Sequence, residues 1–230
     1  MFFFDYTWFL IIPPLILALY AQARVRSTYA RYSQVAAASR LTGAQIACQI
    51  LDSRGAQNVP VEQIPGQMTD NYDPRKKVLR LSDGIYGSNS LAALGIAAHE
   101  AGHAIQHHDG YSPLALRNVI FPIASIGSTL AFPLFFIGFI MGQKRGPSIL
   151  MDIGILLFAG AVLFSVITLP VEFNASRRAL VVLEERGYLN QTEMAGARKV
   201  LSAAALTYVA ATAMAVMQLV RMLLIRDSRD

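Results

Sequence analysis

Four long apolar segments, each interrupted by few charged residues, dominate the pattern of hydrophobic and polar positions along the chain. A helix needs about 20 apolar residues to span the hydrocarbon core of a bilayer, and each segment is long enough. The pattern therefore predicts transmembrane helices at residues 1–20, 118–142, 148–171 and 201–225. The fourth segment is rich in alanine, which also suits a helix packed within the bundle, because small side chains let neighbouring backbones approach closely.

The first segment has two interpretations, because the sequence Ala-Gln-Ala at 21–23 resembles a signal-peptide cleavage site. A signal peptide carries positive charge before its apolar run. In this chain Asp5 precedes the run, whereas Arg24, Arg26 and Arg31 follow it. This reversed charge favours a signal anchor that stays in the membrane as the first helix.

Residues 21–117 are more polar and predict a single small water-facing part. Apolar residues at helical spacing predict a helix over 33–54, with Gly55 as its C-cap. A second helix is predicted over about 90–108, where a serine or asparagine can cap the start and Gly110 can close the end. Between these helices the sequence predicts a short extended segment at 59–65, a turn at 70–74 and a second extended segment at 77–81.

The composition agrees with a membrane protein and excludes several other classes. Of the 230 residues, 54% are apolar and 15% are charged, and the mean hydropathy is +0.41. Soluble domains carry about 25% charged residues, and disordered chains and coiled coils are far more polar than this sequence. The single cysteine, Cys48, cannot form an internal disulfide, which excludes a disulfide-stabilised secreted module.

The distribution of lysine and arginine predicts the side of the membrane on which each loop lies. With four spans, one side receives residues 21–118 and 172–200, and these segments hold 15 of the 20 basic residues. Because basic residues near helix ends favour the cytoplasmic side, we expect this side to be cytoplasmic. The net charge of +5 fits a basic rim beside lipid headgroups and implies no nucleic-acid partner.

The sequence His99-Glu100-Ala101-Gly102-His103 lies within the second predicted water-facing helix and has the form H-E-x-x-H. Residues four apart lie on one helical face, so both imidazoles can bind the same metal ion. The glutamate lies beside the open metal position, where it can take a proton from bound water and later deliver it to the leaving amine. Since zinc lowers the pKa of its water towards about 7, the motif predicts zinc-dependent hydrolysis with Glu100 as general base and acid.

A catalytic zinc needs a third protein ligand, which must be a carboxylate because all four histidines lie within residues 99–108. Asp109 follows the helix too closely to fold back, and Asp152 is expected near the opposite face of the membrane. Glu172 directly follows the third span, and two crossings return it to the side of the motif. We therefore predict Glu172 as the third zinc ligand.

The alternative for Glu172 is an interfacial carboxylate paired with Arg177 or Arg178, and both arginines are candidates for contact with the ligands or the substrate. Three further glutamates on the same side are interpreted as a solvated helix face: Glu184, Glu185 and Glu193.

Three polar residues near the predicted ligands are weaker candidates. His107 follows one turn further along the metal-binding face and could bind substrate or the transition state. Alternatively, His107 and His108 simply end the helix, where imidazolium complements the helix dipole. Asn174 and Ser176 are candidates for orienting the third ligand, although Asn174 could instead cap a helix over residues 177–185.

Five stretches of the chain resemble the YugP-type neutral zinc metallopeptidases of bacterial membranes. They are YDPR at 72–75, LS at 81–82, AHEAGHAIQ at 98–106, LPVEFNAS at 169–176 and AAALTYVAA at 203–211. The resemblance covers nearly the whole chain and extends distantly to the HtpX and the CAAX-processing proteases. It implies a membrane-embedded zinc endopeptidase, whereas prenyl-protein processing belongs to one distant branch and is not implied.

In this wider group the third ligand is a glutamate that follows a later span, which implies Glu172 in this chain. The group often has an aspartate four residues after that glutamate, where this chain has Ser176. We expect an α-helical integral membrane protein of the bacterial cytoplasmic membrane, with about four transmembrane helices. A small cytoplasmic zincin-like α+β part is expected to carry the H-E-x-x-H helix.

The sequence thus predicts a zinc metalloendopeptidase whose partners are the lipid bilayer and a peptide or membrane-protein substrate. The strand at 77–81 is expected to pair with an extended substrate by β-augmentation. The alternative is a non-enzymatic scaffold or sensor with a structural zinc, which would need a fourth protein ligand. A transporter is less consistent, because only Asp5 and Asp152 are ionisable within the first three spans, both near their ends. A regulatory membrane partner, a homo-oligomer and cobalt or manganese in place of zinc stay open.

Overall fold

The computed structural model describes residues 6–142 and 148–228, which form seven α-helices and three β-strands. The helices are α1 (Ile12–Tyr32), α2 (Gly43–Ser53), α3 (Asp83–Tyr86), α4 (Leu91–His108), α5 (Ser112–Met141), α6 (Ile149–Glu185) and α7 (Gln191–Asp227). The strands are β1 (Val61–Ile64), β2 (Asn71–Asp73) and β3 (Val78–Ser82). Four charged residues that entered the predictions of spans and orientation lie outside the described residues: Asp5, Lys144, Arg145 and Arg229.

Within the described residues, four helical segments are long and apolar enough to cross a membrane, which confirms the predicted number. They are Tyr6–Tyr32, Ser112–Met141, Ile149–Glu185 and Gln191–Asp227. The last two helices, α6 and α7, each have 37 residues and continue beyond the predicted spans. Asn174 therefore lies inside α6, and its interpretation as a helix cap is wrong.

The chain divides into two compact units, of which the first contains the residues up to Ala21, Leu116–Leu169 and the chain from Thr207 onward. Large apolar side chains are exposed over this unit, such as Phe136 at 61% and Leu156 at 73%. An apolar surface of this kind is stable in contact with lipid rather than water. This unit therefore has the surface of a membrane-embedded bundle.

Two charged residues that interrupt the predicted spans, Asp152 and Arg221, have partners within this first unit. Arg226 Nε donates to Asp152 Oδ1 over 2.9 Å. Arg221 Nε donates to Thr7 Oγ1 over 3.1 Å, and its guanidinium lies 4.2 Å from the ring centroid of Trp8. Because charges in an apolar medium are costly unless they are paired, these contacts explain how the helices accommodate them.

The second unit comprises Gln22–Ala115 and Pro170–Leu206 and contains the three-stranded sheet. The strand order is β1-β3-β2, with β1 parallel and β2 antiparallel to the central strand β3. Both edges of β3 are thus already paired, so the expectation that residues 77–81 bind a substrate strand is wrong. The strands at the edges of the sheet are β1 and β2.

The first water-facing helix is shorter than the predicted 33–54, because it begins at Gly43. The Thr42 side chain accepts from the Gln45 N–H, and the Gln45 side chain accepts from the Thr42 N–H, which forms a capping box. Just before it, Arg40 has a left-handed φ of 54°, which a right-handed helix does not allow. Local capping chemistry therefore overrides the longer apolar pattern.

Helix α4 begins after Ser90, whose hydroxyl accepts from the Ala93 N–H over 3.2 Å. It is buried along most of its length and packs against α2 and the sheet. The hydrophobic core here includes Ile46 and Ile50 of α2 and Leu94 of α4. The many alanines and glycines of α4 permit this packing, because they keep the helix narrow.

Candidate metal centre

Helix α4 presents His99 and His103 one turn apart on the same face, as their four-residue spacing requires. Their ring centroids lie 4.7 Å apart and the ring planes make an angle of 81°. His103 is buried, with 8% of its surface exposed, and His99 is partly buried. Two imidazoles in this arrangement can direct one nitrogen each towards a common point.

The third ligand, a carboxylate, comes from α6, which approaches α4 closely at Gly102. A Cβ on Gly102 would lie 2.5 Å from the carbonyl oxygen of Ala175, so only glycine allows this approach. Glu172, which precedes Ala175 by nearly one turn, is only 2% exposed. The close packing of two helices therefore brings a buried carboxylate from a distant part of the chain to the histidine pair.

The three side chains form the only group of three or more potential metal ligands within the described ranges. Glu172 Oε2 lies 3.3 Å from His99 Nε2 and 3.5 Å from His103 Nε2. The ligand atoms of the group all lie within 4.8 Å of one another. Two imidazole nitrogens and one carboxylate oxygen are the donor set of catalytic zinc sites, so these residues fit zinc.

The outward nitrogen of each imidazole is held by a neutral oxygen. Ser176 Oγ lies 3.0 Å from His99 Nδ1, and Gln106 Oε1 lies 3.0 Å from His103 Nδ1. These contacts turn both Nε2 atoms inwards, towards Glu172. Ser176 was expected to orient the third ligand, but the structure places its hydroxyl against the first histidine.

Glu100 is buried in α4 next to the ligand group, with 9% of its surface exposed. Burial raises the pKa of the Glu100 carboxyl to about 7. The Glu172 carboxylate adds to this rise, whereas His99 and a hydrogen bond from the backbone N–H of Tyr72 oppose it. A carboxyl with a pKa near neutrality can both accept and release a proton under physiological conditions.

Tyr72 of β2 also fixes the third histidine of α4. Its hydroxyl lies 2.7 Å from His107 Nδ1, and the two ring centroids are 5.8 Å apart. Burial, and then the charge of Asp73, raise the pKa of Tyr72 to about 12, so its hydroxyl stays protonated. His107 is therefore held on the metal-binding face, whereas His108 is exposed.

Gln106 was missed as a functional candidate, although it is completely buried beside the metal ligands. Its amide nitrogen donates to Val171 O over 2.8 Å and to Asn174 Oδ1 over 2.9 Å. The available signal was its position three residues after His103, on the same side of the helix. Asn174 thus contacts Gln106, which differs from its expected contact with Glu172.

The two arginines proposed as partners of Glu172 differ in their contacts. Arg178 Nε donates to Asn174 Oδ1 over 2.8 Å, and Arg178 also pairs with Asp109. In the part of the chain that the structure describes, Arg177 makes no hydrogen bond or ion pair. Only Arg178 is therefore connected to the residues around the metal centre.

The other carboxylates considered as ligands lie elsewhere. Glu184 and Glu185 are exposed, and Glu185 pairs with Arg54 over 2.7 Å. Glu193, by contrast, was wrongly interpreted as solvated, since it is buried and accepts from the backbone N–H groups of Ala38 and Asn190. It ties the start of α7 to the loop before α2, which is a structural role.

The chain belongs to a family of zinc metallopeptidases. The family described as "Putative neutral zinc metallopeptidase" matches residues 7–227, almost the whole chain. A particular relative is "Putative membrane protease YugP" of Bacillus subtilis (strain 168), with 46% identity over 217 residues, 94% of this chain and 95% of that protein. No solved structure matches the chain significantly. These similarities confirm the family inferred from the sequence motifs, and together with the ligand group they confirm zinc as the cofactor.

Proposed function

We propose that the protein is a membrane-embedded zinc metalloendopeptidase that hydrolyses peptide bonds at the cytoplasmic face of the bacterial cytoplasmic membrane. The observation that carries the proposal is the combination of three metal ligands with a buried glutamate, Glu100, directly beside them. The membership of a zinc peptidase family and the similarity to a membrane protease support the same activity.

The residues of the site divide the work of hydrolysis between them. His99, His103 and Glu172 hold zinc, which when bound supplies a water of lowered pKa and polarises the peptide carbonyl. Glu100 takes the proton of the attacking water and passes it to the nitrogen of the leaving amine. Burial, which raises the pKa of its carboxyl, favours holding the proton between the two steps.

The ligand count supports an enzyme over a scaffold or sensor with a structural zinc. Structural zinc sites close all four positions with protein ligands. Among the described residues, only three potential ligands converge here, which leaves a position for water and substrate. A structural site would also have no use for a buried glutamate beside the metal.

The cytoplasmic orientation rests on the basic residues of segments 21–118 and 172–200. These segments contain 15 of the 20 lysines and arginines, several of them next to the apolar spans. A peptide segment or a membrane protein that exposes an extended stretch at this face is the substrate that we propose.

The test compares the purified full-length protein with Glu100→Gln, which keeps the shape of the side chain but cannot accept the proton. Zinc content and cleavage of casein, an unfolded protein, are measured for both. We expect the variant to retain zinc and to lose nearly all cleavage.

Equal cleavage by both proteins would indicate a contaminating protease and would remove support for the mechanism. Zinc retained without cleavage by the wild type, across peptides and unfolded proteins, would favour the structural role.

A further inference from the structure

The two zinc-binding imidazoles are held by oxygens that differ in their freedom. The Ser176 hydroxyl beside His99 can rotate, so it can either donate or accept. The Gln106 amide beside His103 is fixed by further contacts. We propose that Gln106, Asn174 and Arg178 form a positioning chain that fixes His103 in a single tautomer before the metal binds. This inference rests on the proposed zinc site, and it concerns the assembly of that site rather than bond cleavage.

The orientation of the Gln106 amide follows from its neighbours. Its nitrogen lies 2.8 Å from the main-chain oxygen of Val171, which can only accept a hydrogen bond. A rotation of the amide by half a turn would place oxygen against oxygen. Since Gln106 is completely buried, no water could relieve that repulsion. The amide oxygen must therefore face His103.

The orientation of Gln106 determines the position of the proton on His103. An amide oxygen only accepts, so His103 Nδ1, 3.0 Å away, must carry the hydrogen. The neutral ring then has its lone pair on Nε2, which lies 3.5 Å from Glu172 Oε2. These two atoms are both electron-pair donors that face each other, and a cation can bind between them. The imidazole is thus prepared for the metal in advance.

The chain of contacts continues from Gln106 to an ion pair. Asn174 Oδ1 accepts from Gln106 over 2.9 Å and from Arg178 Nε over 2.8 Å. Because a guanidinium only donates, the orientation of Asn174 is also fixed. Arg178 is held in turn by Asp109, and its side chain is 26% exposed. An ion pair near the surface therefore supports a buried zinc ligand through two amides.

Arg178→Met removes the outer support and leaves the buried amides in place. We expect zinc to bind about tenfold more weakly, since partners that orient metal ligands typically contribute 10- to 100-fold in affinity. Arg177→Met is the matched control, because it removes the same charge from the adjacent residue of α6, which makes no hydrogen bond or ion pair in the described ranges. It should change zinc affinity less than about twofold on that basis.

The experiment uses the full-length protein in detergent micelles, with zinc affinity measured by competition with a chelator. The tautomer of His103 is read by ¹⁵N NMR of the metal-free protein at about pH 8, above the ordinary pKa of histidine. The chain has four histidines, so His103→Gln identifies the signal. We expect the Nδ1–H form in the wild type and in both arginine variants, because the main-chain oxygen of Val171 still orients Gln106, and a shift towards Nε2–H in Gln106→Leu.

An Nε2–H form of His103 in the metal-free wild type would overturn the proposal, as would equal zinc affinity in the Arg177 and Arg178 variants. Because the tautomer is read in the unmodified protein, the proposal stays falsifiable if a variant does not fold. A failure of the proposed function looks different: the wild type would show the expected tautomer and bind zinc, yet cleave no peptide.

Discussion

The main chain of Ala175 in α6 lies against Gly102 in α4, with no room for a side chain between them. Glu172 precedes Ala175 by three residues in the same helix, so the contact sets the distance between the third zinc ligand and the two histidines. We expect Gly102→Ala to push α6 away and to weaken zinc binding about tenfold or more. Overpacking should also destabilise the protein by about 1–3 kcal/mol.

Gly95→Ala is the matched control for this substitution, because it lies in the same helix and faces another helix. A Cβ at Gly95 would lie 3.8 Å from Ala197, which is an ordinary contact. Zinc affinity, measured by chelator competition, and the thermal midpoint should both be retained in this variant. An equal loss in the two variants would mean that α4 tolerates no added methyl group, and that the contact with Ala175 has no special role.

The relation between His99 and His103 could be predicted from the sequence because it depends only on the geometry of one helix. The role of Gln106 could not, because its partner Val171 lies 65 residues away and the contact requires α6 to pack against α4. The same reason explains Glu193, whose acidic side chain is typical of a surface until the loop at Ala38 is brought to it.

The fold shows the same division between local and long-range information. Hydropathy predicts the four apolar helices, because the signal is contained in each segment. It does not predict that α6 and α7 continue past the apolar stretch, since helix length there depends on packing within the second unit. The strand order could not be predicted from the sequence either, because it depends on which strands pair with each other. In the structure β1 and β2 pair on either side of β3.

Glu172 is expected to couple zinc binding to stability. A ligand that binds only the folded state stabilises it by about 2.7 kcal/mol at 100 times its dissociation constant. Zinc should therefore raise the thermal midpoint of the metal-free wild type, and Glu172→Gln should remove most of this rise. Glu184→Gln, an exposed change in the same helix, should leave it intact. A rise of wild-type size in Glu172→Gln would contradict the assignment of Glu172 as a ligand.

Tyr72 is expected to act on catalysis through His107. Tyr72→Phe removes the hydroxyl that lies 2.7 Å from His107 Nδ1, and loss of one such bond corresponds to about a fivefold decrease in kcat/KM. His107→Ala should cause a larger decrease, and the double variant should be no worse than His107→Ala alone. Zinc content should not change in any of them.

His108, the exposed neighbour of His107, provides the control. His108→Ala should keep kcat/KM within about twofold of the wild-type value, because surface substitutions usually have small effects. Additive losses in Tyr72→Phe and His107→Ala would show that the two residues act independently.

The pH dependence of cleavage is expected to follow the ionisation of Glu100. Burial raises the pKa of this carboxyl to about 7, and a bound cation lowers it again. The base is the ionised form, which is present above the pKa and lost as the pH falls through it. The value of kcat/KM should therefore decrease about tenfold per pH unit on the acid side of the Glu100 pKa. We expect this pKa to lie at or below about 7 but above the range of an ordinary carboxyl group.

Zinc content must be measured at each pH, because imidazole ligands also protonate in acid and release metal. A kcat/KM that stays constant down to about pH 5 in protein that retains zinc would contradict a raised pKa for the catalytic base, since an ordinary glutamate titrates near that range.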